Sequence, residues 1–201
     1  MKTVNWSRFL IIVLLFNLAG CSSFGDTKTI ARIGNAGSLD GPYYLKRIYI
    51  QDTRGAWVNF GYGAVSGYPG ASSDIGAISY PQYIEGFWSK GRNVDEKYFK
   101  ISAPIDLELA KQKIDTLRDY YVDYHNYTAA MIVAVDGPRI QVFYTMHCYA
   151  KFSGCIPREN ADPNGWVIRS PDNTTEVVLL FDGTGESSDT PFPGSPYDKK
   201  R

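Results

Sequence analysis

Few residues in this chain are equipped for chemistry. His125 and His147 are the only imidazoles, and either would need a nucleophile, an acid or a metal brought beside it to act. The serine in the most suggestive setting, Ser66, lies in Gly63-Ala64-Val65-Ser66-Gly67, which is not the Gly-x-Ser-x-Gly spacing of a nucleophile elbow. A histidine such as His125 at a helix end suits the negative pole of the dipole. His147 suits a sheet hydrogen bond. Acids recur at Asp182, Glu186 and Asp189, without the alternate-residue carboxylates of a calcium loop. Cys148 and Cys155 with two histidines make no zinc spacing. The expectation is therefore no catalytic set, no metal and no cofactor.

What these residue types can do is recognise. Tyr120-Tyr121-Val122-Asp123-Tyr124-His125-Asn126-Tyr127 places four tyrosines in eight residues. Tyrosine is enriched in binding hot spots because it offers a rigid apolar ring with a polar end. Tyr120 and Tyr127 are candidate partner contacts, with sheet packing as the competing use. Tyr68, in a glycine-rich loop, and the acids Asp182, Glu186 and Asp189 complete the candidate set.

The elements that must position these residues are mostly strands. Tyr43–Gln51 alternates apolar and polar residues, Asp52-Thr53-Arg54-Gly55 makes a turn, and Ala56–Tyr62 returns. Gly61 to Ile78 is read as a long irregular loop. It has no Gly-Lys-Ser/Thr ending and no helix behind it, so it is not a phosphate cradle. Strands are expected at Gln82–Ser89 and Tyr98–Ala103. A helix over 107–124 follows, because Leu107, Ala110, Ile114, Leu117, Tyr121 and Tyr124 recur every three or four residues behind a possible N-cap, Asp106. Thr128–Val135 and Arg139–Cys148 flank Asp136-Gly137, a strong hairpin signal. In the second of these strands Ile140, Val142, Tyr144, Met146 and Cys148 share one face. Trp166–Arg169 and Thr175–Phe181 are the last strands, and the tail from Asp182 is rich in Gly, Ser and Pro. Residues 41–201 therefore predict one α+β domain: an antiparallel, twisted sheet or sandwich with one amphipathic helix packed on it.

The first twenty residues belong to a different problem. Lys2 and Arg8 precede the unbroken apolar run Phe9–Phe16, and Leu18-Ala19-Gly20 leads into Cys21. Eight residues of helix rise only about 12 Å, short of the roughly 30 Å hydrocarbon core. Positive head, apolar run and small residues are the parts of an export signal, and the cysteine at its end resembles the lipobox of bacterial lipoproteins. That resemblance implies a signal peptide over 1–20, lipid on Cys21, and a flexible tether over 21–40. Lys28–Ile33 folding back as an edge strand is the alternative. Without Lys2 and Arg8, 19 basic residues face 21 acidic ones. The small negative balance disfavours nucleic acid as a partner. With Cys21 lipidated, Cys148 and Cys155 remain as an even pair, and an oxidising compartment favours a bridge over two free thiols.

The lipobox with Ser22-Ser23, the segment Ile101–Leu117, and the run from Asp162-Pro163-Asn164-Gly165 through Leu180-Phe181-Asp182-Gly183 to Pro191-Phe192-Pro193-Gly194-Ser195-Pro196-Tyr197-Asp198 together resemble a family of small bacterial envelope lipoproteins that give immunity to type VI secretion phospholipase effectors. The resemblance implies a non-enzymatic periplasmic protein that binds and neutralises such a lipase. The residue after Cys21 is not Asp, which resembles the sorting pattern for the outer membrane. A structural or assembly lipoprotein of an envelope machine is the alternative.

Overall fold

The computed structural model describes residues 28–34, 36–61, 63–70, 76–91, 95–123, 128–149 and 154–198. They form an α+β domain, mostly sheet, with two sheets, one helix and no closed barrel. The elements are β1 (Ala31–Ile33), β2 (Gly37–Ser38), β3 (Tyr43–Asp52), β4 (Trp57–Asn59), β5 (Gly63–Val65), β6 (Ala77–Ile78), β7 (Pro81–Lys90), β8 (Lys97–Pro104), α1 (Leu107–Asp119), β9 (Ala130–Asp136), β10 (Arg139–Tyr149), β11 (Val167–Arg169), β12 (Thr175–Thr184) and β13 (Glu186–Ser188). The first sheet has the order β11-β12-β10-β9-β1-β6, with β2 also on β9. The second has the order β13-β8-β7-β3-β4, with β5 on β3.

One core joins the sheets. Leu45, Ile48 and Ile50 of β3, Ile84 and Trp88 of β7 and Ile101 of β8 pack in one cluster with Met131, Val133, Val142, Tyr144 and Val178 of the other sheet. The expected face of β10 (Ile140, Val142, Tyr144, Met146, Cys148) is the one in that cluster. The sheets are tied where the β9–β10 hairpin turns. The Gly137 amide donates to Tyr43 Oη at 2.5 Å, and Trp88 Nε1 donates to the Gly137 carbonyl at 2.8 Å. Away from the hairpin, α1 packs on β10 and β12. Asp106 caps it, accepting from the Leu109 amide. Ile114 and Leu117 have no exposure, and burying each stabilises by about 1.5–3 kcal/mol.

The helix stops five residues before the expected end. Its last capping bond runs from the Tyr120 amide to the Leu117 carbonyl, and Tyr121 leaves to bridge Pro157. Arg158 holds that exit, since its Nε donates to the Tyr121 carbonyl at 2.7 Å. Tyr124 lies outside the described residues.

The stretch expected to be flexible through Asp40 is folded from Ile30 onward. β1 and β2 run parallel to β9, against the expected all-antiparallel pairing, and β1 is not an edge because β6 flanks it. Ile33 faces Met131 and Gly37 faces Ala134, so the chain carries one residue more than β9 opposite. That extra residue splits one strand into two. Gly37 is glycine for a packing reason. A Cβ there would come within 2.7 Å of the Gly67 carbonyl oxygen, where the loop 67–70 crosses the sheet. This loop interval is also less irregular than expected. It carries β5 on β3 and β6 on β1, while the return strand expected over 56–62 is only Trp57–Asn59.

The tail likewise continues in strand past Asp182. Gly185 passes the chain from β12 in one sheet to β13 in the other, and its amide donates to the Pro138 carbonyl at 2.8 Å. Beyond β13, residues 190–198 cross the outer face of the second sheet. Phe192 lies against Phe87 (6.4 Å between ring centroids), Tyr197 lies against Tyr98 (5.7 Å), and Tyr197 Oη donates to the Tyr44 carbonyl.

Candidate functional site

The sequence-derived candidates do not converge. Asp182 and Glu186 are not a loop cluster but stations along β12 and β13, with Asp189 just past the end of β13, and each is paired with a base. Arg139 donates to Asp182 at 2.7 and 2.5 Å, Lys100 meets Glu186 at 3.4 Å, and Lys97 pairs with Asp189. The first pair holds the Asp182 carboxyl below its ordinary pKa; Gln141 assists, and burial opposes. The pairs are exposed and each contributes about 1 kcal/mol at most. They fix the strand register rather than present free carboxylates. Tyr68 packs its ring edge-on against Phe143 at 5.7 Å, and its hydroxyl is buried. Burial pushes its pKa upward. Most of what Tyr68 could offer a partner is used inside the fold. Tyr127 and His125 lie outside the described residues.

Tyr120 is better placed. It sits where α1 ends, half-buried and packed edge-on against Tyr121 at 5.1 Å. Tyr121 turns inward, with 1% exposure, and its hydroxyl donates to Glu176 at 2.8 Å. The next residue, Val122, donates its amide to the Ile156 carbonyl at 3.0 Å, and the Arg158 amide donates to the Tyr120 carbonyl at 2.8 Å. This small clasp of 120–122 against 156–158 turns Val122 and Ile156 outward. They are 43% and 64% exposed. Asp119, Asp123 and Glu159 lie exposed around them. The result is an apolar centre whose border carries both signs, because Arg158 is exposed within the clasp and bonds the Tyr121 and Val122 carbonyls.

The clasp is held by the disulfide. Cys148 and Cys155 are bonded, with Cα atoms 5.7 Å apart. Cys148 is fully buried, so residue 156 emerges from a point tied to the end of β10. His147, its neighbour, has a positive φ of 54° at a break in the β10–β12 register, and burial pushes its imidazole pKa down. Among the described residues no group of three or more His, Cys, Asp or Glu could hold a metal ion, and no helix is long and apolar enough to cross a membrane.

Comparison with protein-family models, with curated proteins and with solved structures returns no match. The site therefore rests on its own chemistry.

Sequence reasoning missed Val122, Ile156 and one further exposed aromatic, Trp57. Val122 was hidden within a tyrosine run that read as helix. Ile156 stands beside a cysteine with no apolar periodicity around it. Trp57 reads as an ordinary strand residue until its edge position leaves it 45% exposed.

Proposed function

We propose that this chain is an exported lipoprotein, held at the outer membrane by lipid on Cys21, that works by capturing a protein partner on the Tyr120–Val122–Ile156 patch. The family resemblance supplies the partner's class: a phospholipase effector of a type VI secretion system, neutralised by tight binding rather than by chemistry. The observation that carries the reading is the apolar run ending at Leu18-Ala19-Gly20-Cys21. The disulfide between Cys148 and Cys155 supports the same address, because bridges of this kind persist in exported proteins. An exposed apolar patch beside it, Val122 and Ile156, supports binding as the mode of action.

The test is co-expression of the full chain with a lipase encoded beside it. The expected result is protection of the cell and a stable complex of the two proteins. Ile156→Asp should weaken capture by about 30-fold or more, since a central apolar contact is worth about 2 kcal/mol or more, while leaving thermal stability unchanged because Ile156 is 64% exposed. Purification with several envelope proteins and no lipase would favour an assembly role instead.

A further inference from the structure

The chain enters its folded body at one end, and what surrounds that entrance differs from the clasp. Thr29 Oγ1 accepts from the Arg54 guanidinium at 3.3 Å, and the same guanidinium donates to the Ala77 carbonyl at 2.9 Å. Arg54 belongs to the turn between β3 and β4, so the entering chain lies beside that turn. Three residues on stands Trp57, 45% exposed, edge-on to Tyr83 at 6.2 Å. Tyr83 shares a hydrogen bond of 2.8 Å with Ser102. The strap formed by residues 190–198 covers the other part of this sheet face, around Phe87, Tyr98 and Tyr44. It leaves Trp57 and Tyr83 open.

The entrance is also close to Cys21 along the chain. Lys28 is seven residues after Cys21, and seven fully extended residues span at most about 25 Å. Folding of β1 has taken up the rest of what would have been a tether. A lipid on Cys21 would therefore hold this end of the body within about 25 Å of the membrane surface. Lys28 and Arg32 are exposed here. Among the described residues at this end, Asp52 is buried and ion-paired to Arg54 at 2.6 Å, and Asp115 is paired at 3.8 Å to Arg118, which donates to the Ile30 carbonyl at 3.3 Å. Glu85 stands one row farther along the sheet, opposite Tyr49. Tryptophan and tyrosine with basic neighbours are the residues that settle at the boundary between headgroups and acyl chains.

From this placement we infer that Trp57 and Tyr83 form a second membrane contact, resting in the headgroup zone of the bilayer that holds the lipid anchor. The contact sets the orientation of the domain. It rests on the lipid-anchor reading of Cys21. A surface-bound lipase would then be met by a domain lying at the membrane rather than swinging above it.

The test uses the processed full chain purified from membranes, with the mass of its N-terminal residue measured. It is reconstituted into phosphatidylethanolamine–phosphatidylglycerol vesicles containing phosphatidylcholine brominated near the headgroup, and checked by flotation. The expected result is quenching of tryptophan emission that is lost in Trp57→Phe. Leu39→Trp, added to that variant, should not restore quenching, because Leu39 is exposed beside Val135 at the hairpin end. If the lipidated protein floats but is not quenched, is quenched equally in Trp57→Phe, or regains quenching with Leu39→Trp, the inference is overturned and the anchor stands. If Cys21 carries no acyl mass, the anchor reading falls and the inference falls with it.

Discussion

Asp52 is the residue whose removal should reach furthest, because one carboxylate organises the turn that carries Arg54 and Trp57. Its side chain has no exposure, and Arg54 pairs with it at 2.6 Å. Oδ1 accepts from the Arg54 and Ala56 amides at 2.9 and 3.2 Å, and Oδ2 accepts from Arg54 Nε and the Ser79 amide at 2.8 and 2.9 Å. Asp52→Ala strands the amide of Ser79, itself fully buried, and leaves Arg54 without its counter-charge. Because Arg54 is itself exposed, the cost is mainly that of the stranded buried amide, about 2–3 kcal/mol, which lowers the melting temperature of a domain this size by about 4–12 °C. Asp52→Asn keeps one acceptor oxygen and should lose about 1–3 kcal/mol.

The pH dependence follows from the direction of the shift. Burial alone would raise the Asp52 pKa, but the Arg54 guanidinium and the amides of Ser79, Arg54 and Ala56 outweigh it and hold the value below the ordinary one. A depressed folded pKa contributes stability above the unfolded carboxylate pKa of about 4. That contribution is lost as pH falls through the folded value. Thermal melts followed by circular dichroism should therefore show the gap between the wild-type protein and Asp52→Asn closing in acid. A gap that stays constant down to the lowest pH at which the fold survives would refute the assignment of the cost to the carboxylate charge. Asp52→Ala melting within about 1 kcal/mol of the parent would refute the network itself.

Two further outcomes test the frame of the fold. The disulfide closes a loop with a sequence separation of 7, worth about 2–3 kcal/mol in the chain-entropy model. Reductant should lower the denaturant midpoint accordingly, and an unchanged midpoint would show that the bridge does not constrain the unfolded chain. Gly185→Ala would place a Cβ 2.3 Å from the Lys100 carbonyl oxygen, where only backbone can yield. The cost should be about 1–3 kcal/mol by equilibrium unfolding. Gly67→Ala, whose Cβ meets nothing within 4 Å, should stay within about 0.5 kcal/mol of the parent.

Much of the scaffold was legible one segment at a time. Spacings of three and four predicted a helix starting at Leu107, and alternation around Asp136-Gly137 predicted the hairpin and the core face of β10. These signals are local: backbone geometry fixes which neighbours share a face, so a dozen residues suffice to see them. Cysteine arithmetic reached the bridge for a similar reason, because assigning Cys21 to lipid leaves only Cys148 and Cys155 to pair.

The partners of Asp182, Glu186 and Asp189 could not be read in this way. Arg139, Lys100 and Lys97 lie 43, 86 and 92 residues away from them in sequence, and which base faces which acid depends on strand register across the sheet. The insertion of β1 between β9 and β6 was equally hidden, since Ala31-Arg32-Ile33 is too short for a period and its partners are distant in the chain. The helix end was misplaced because Tyr121 and Tyr124 continue the apolar spacing, while the competing clasp with residues 156–158 comes from beyond the disulfide. The proposal of Cys21 as a point of attachment rests on sequence alone, on the order of charge, apolar run and small residues. Only the tertiary structure decided what stands beside the chain where it enters the folded body at Thr29. Exposure is a property of packing, and Trp57, Val122 and Ile156 became surface features only once the strands around them had found their partners.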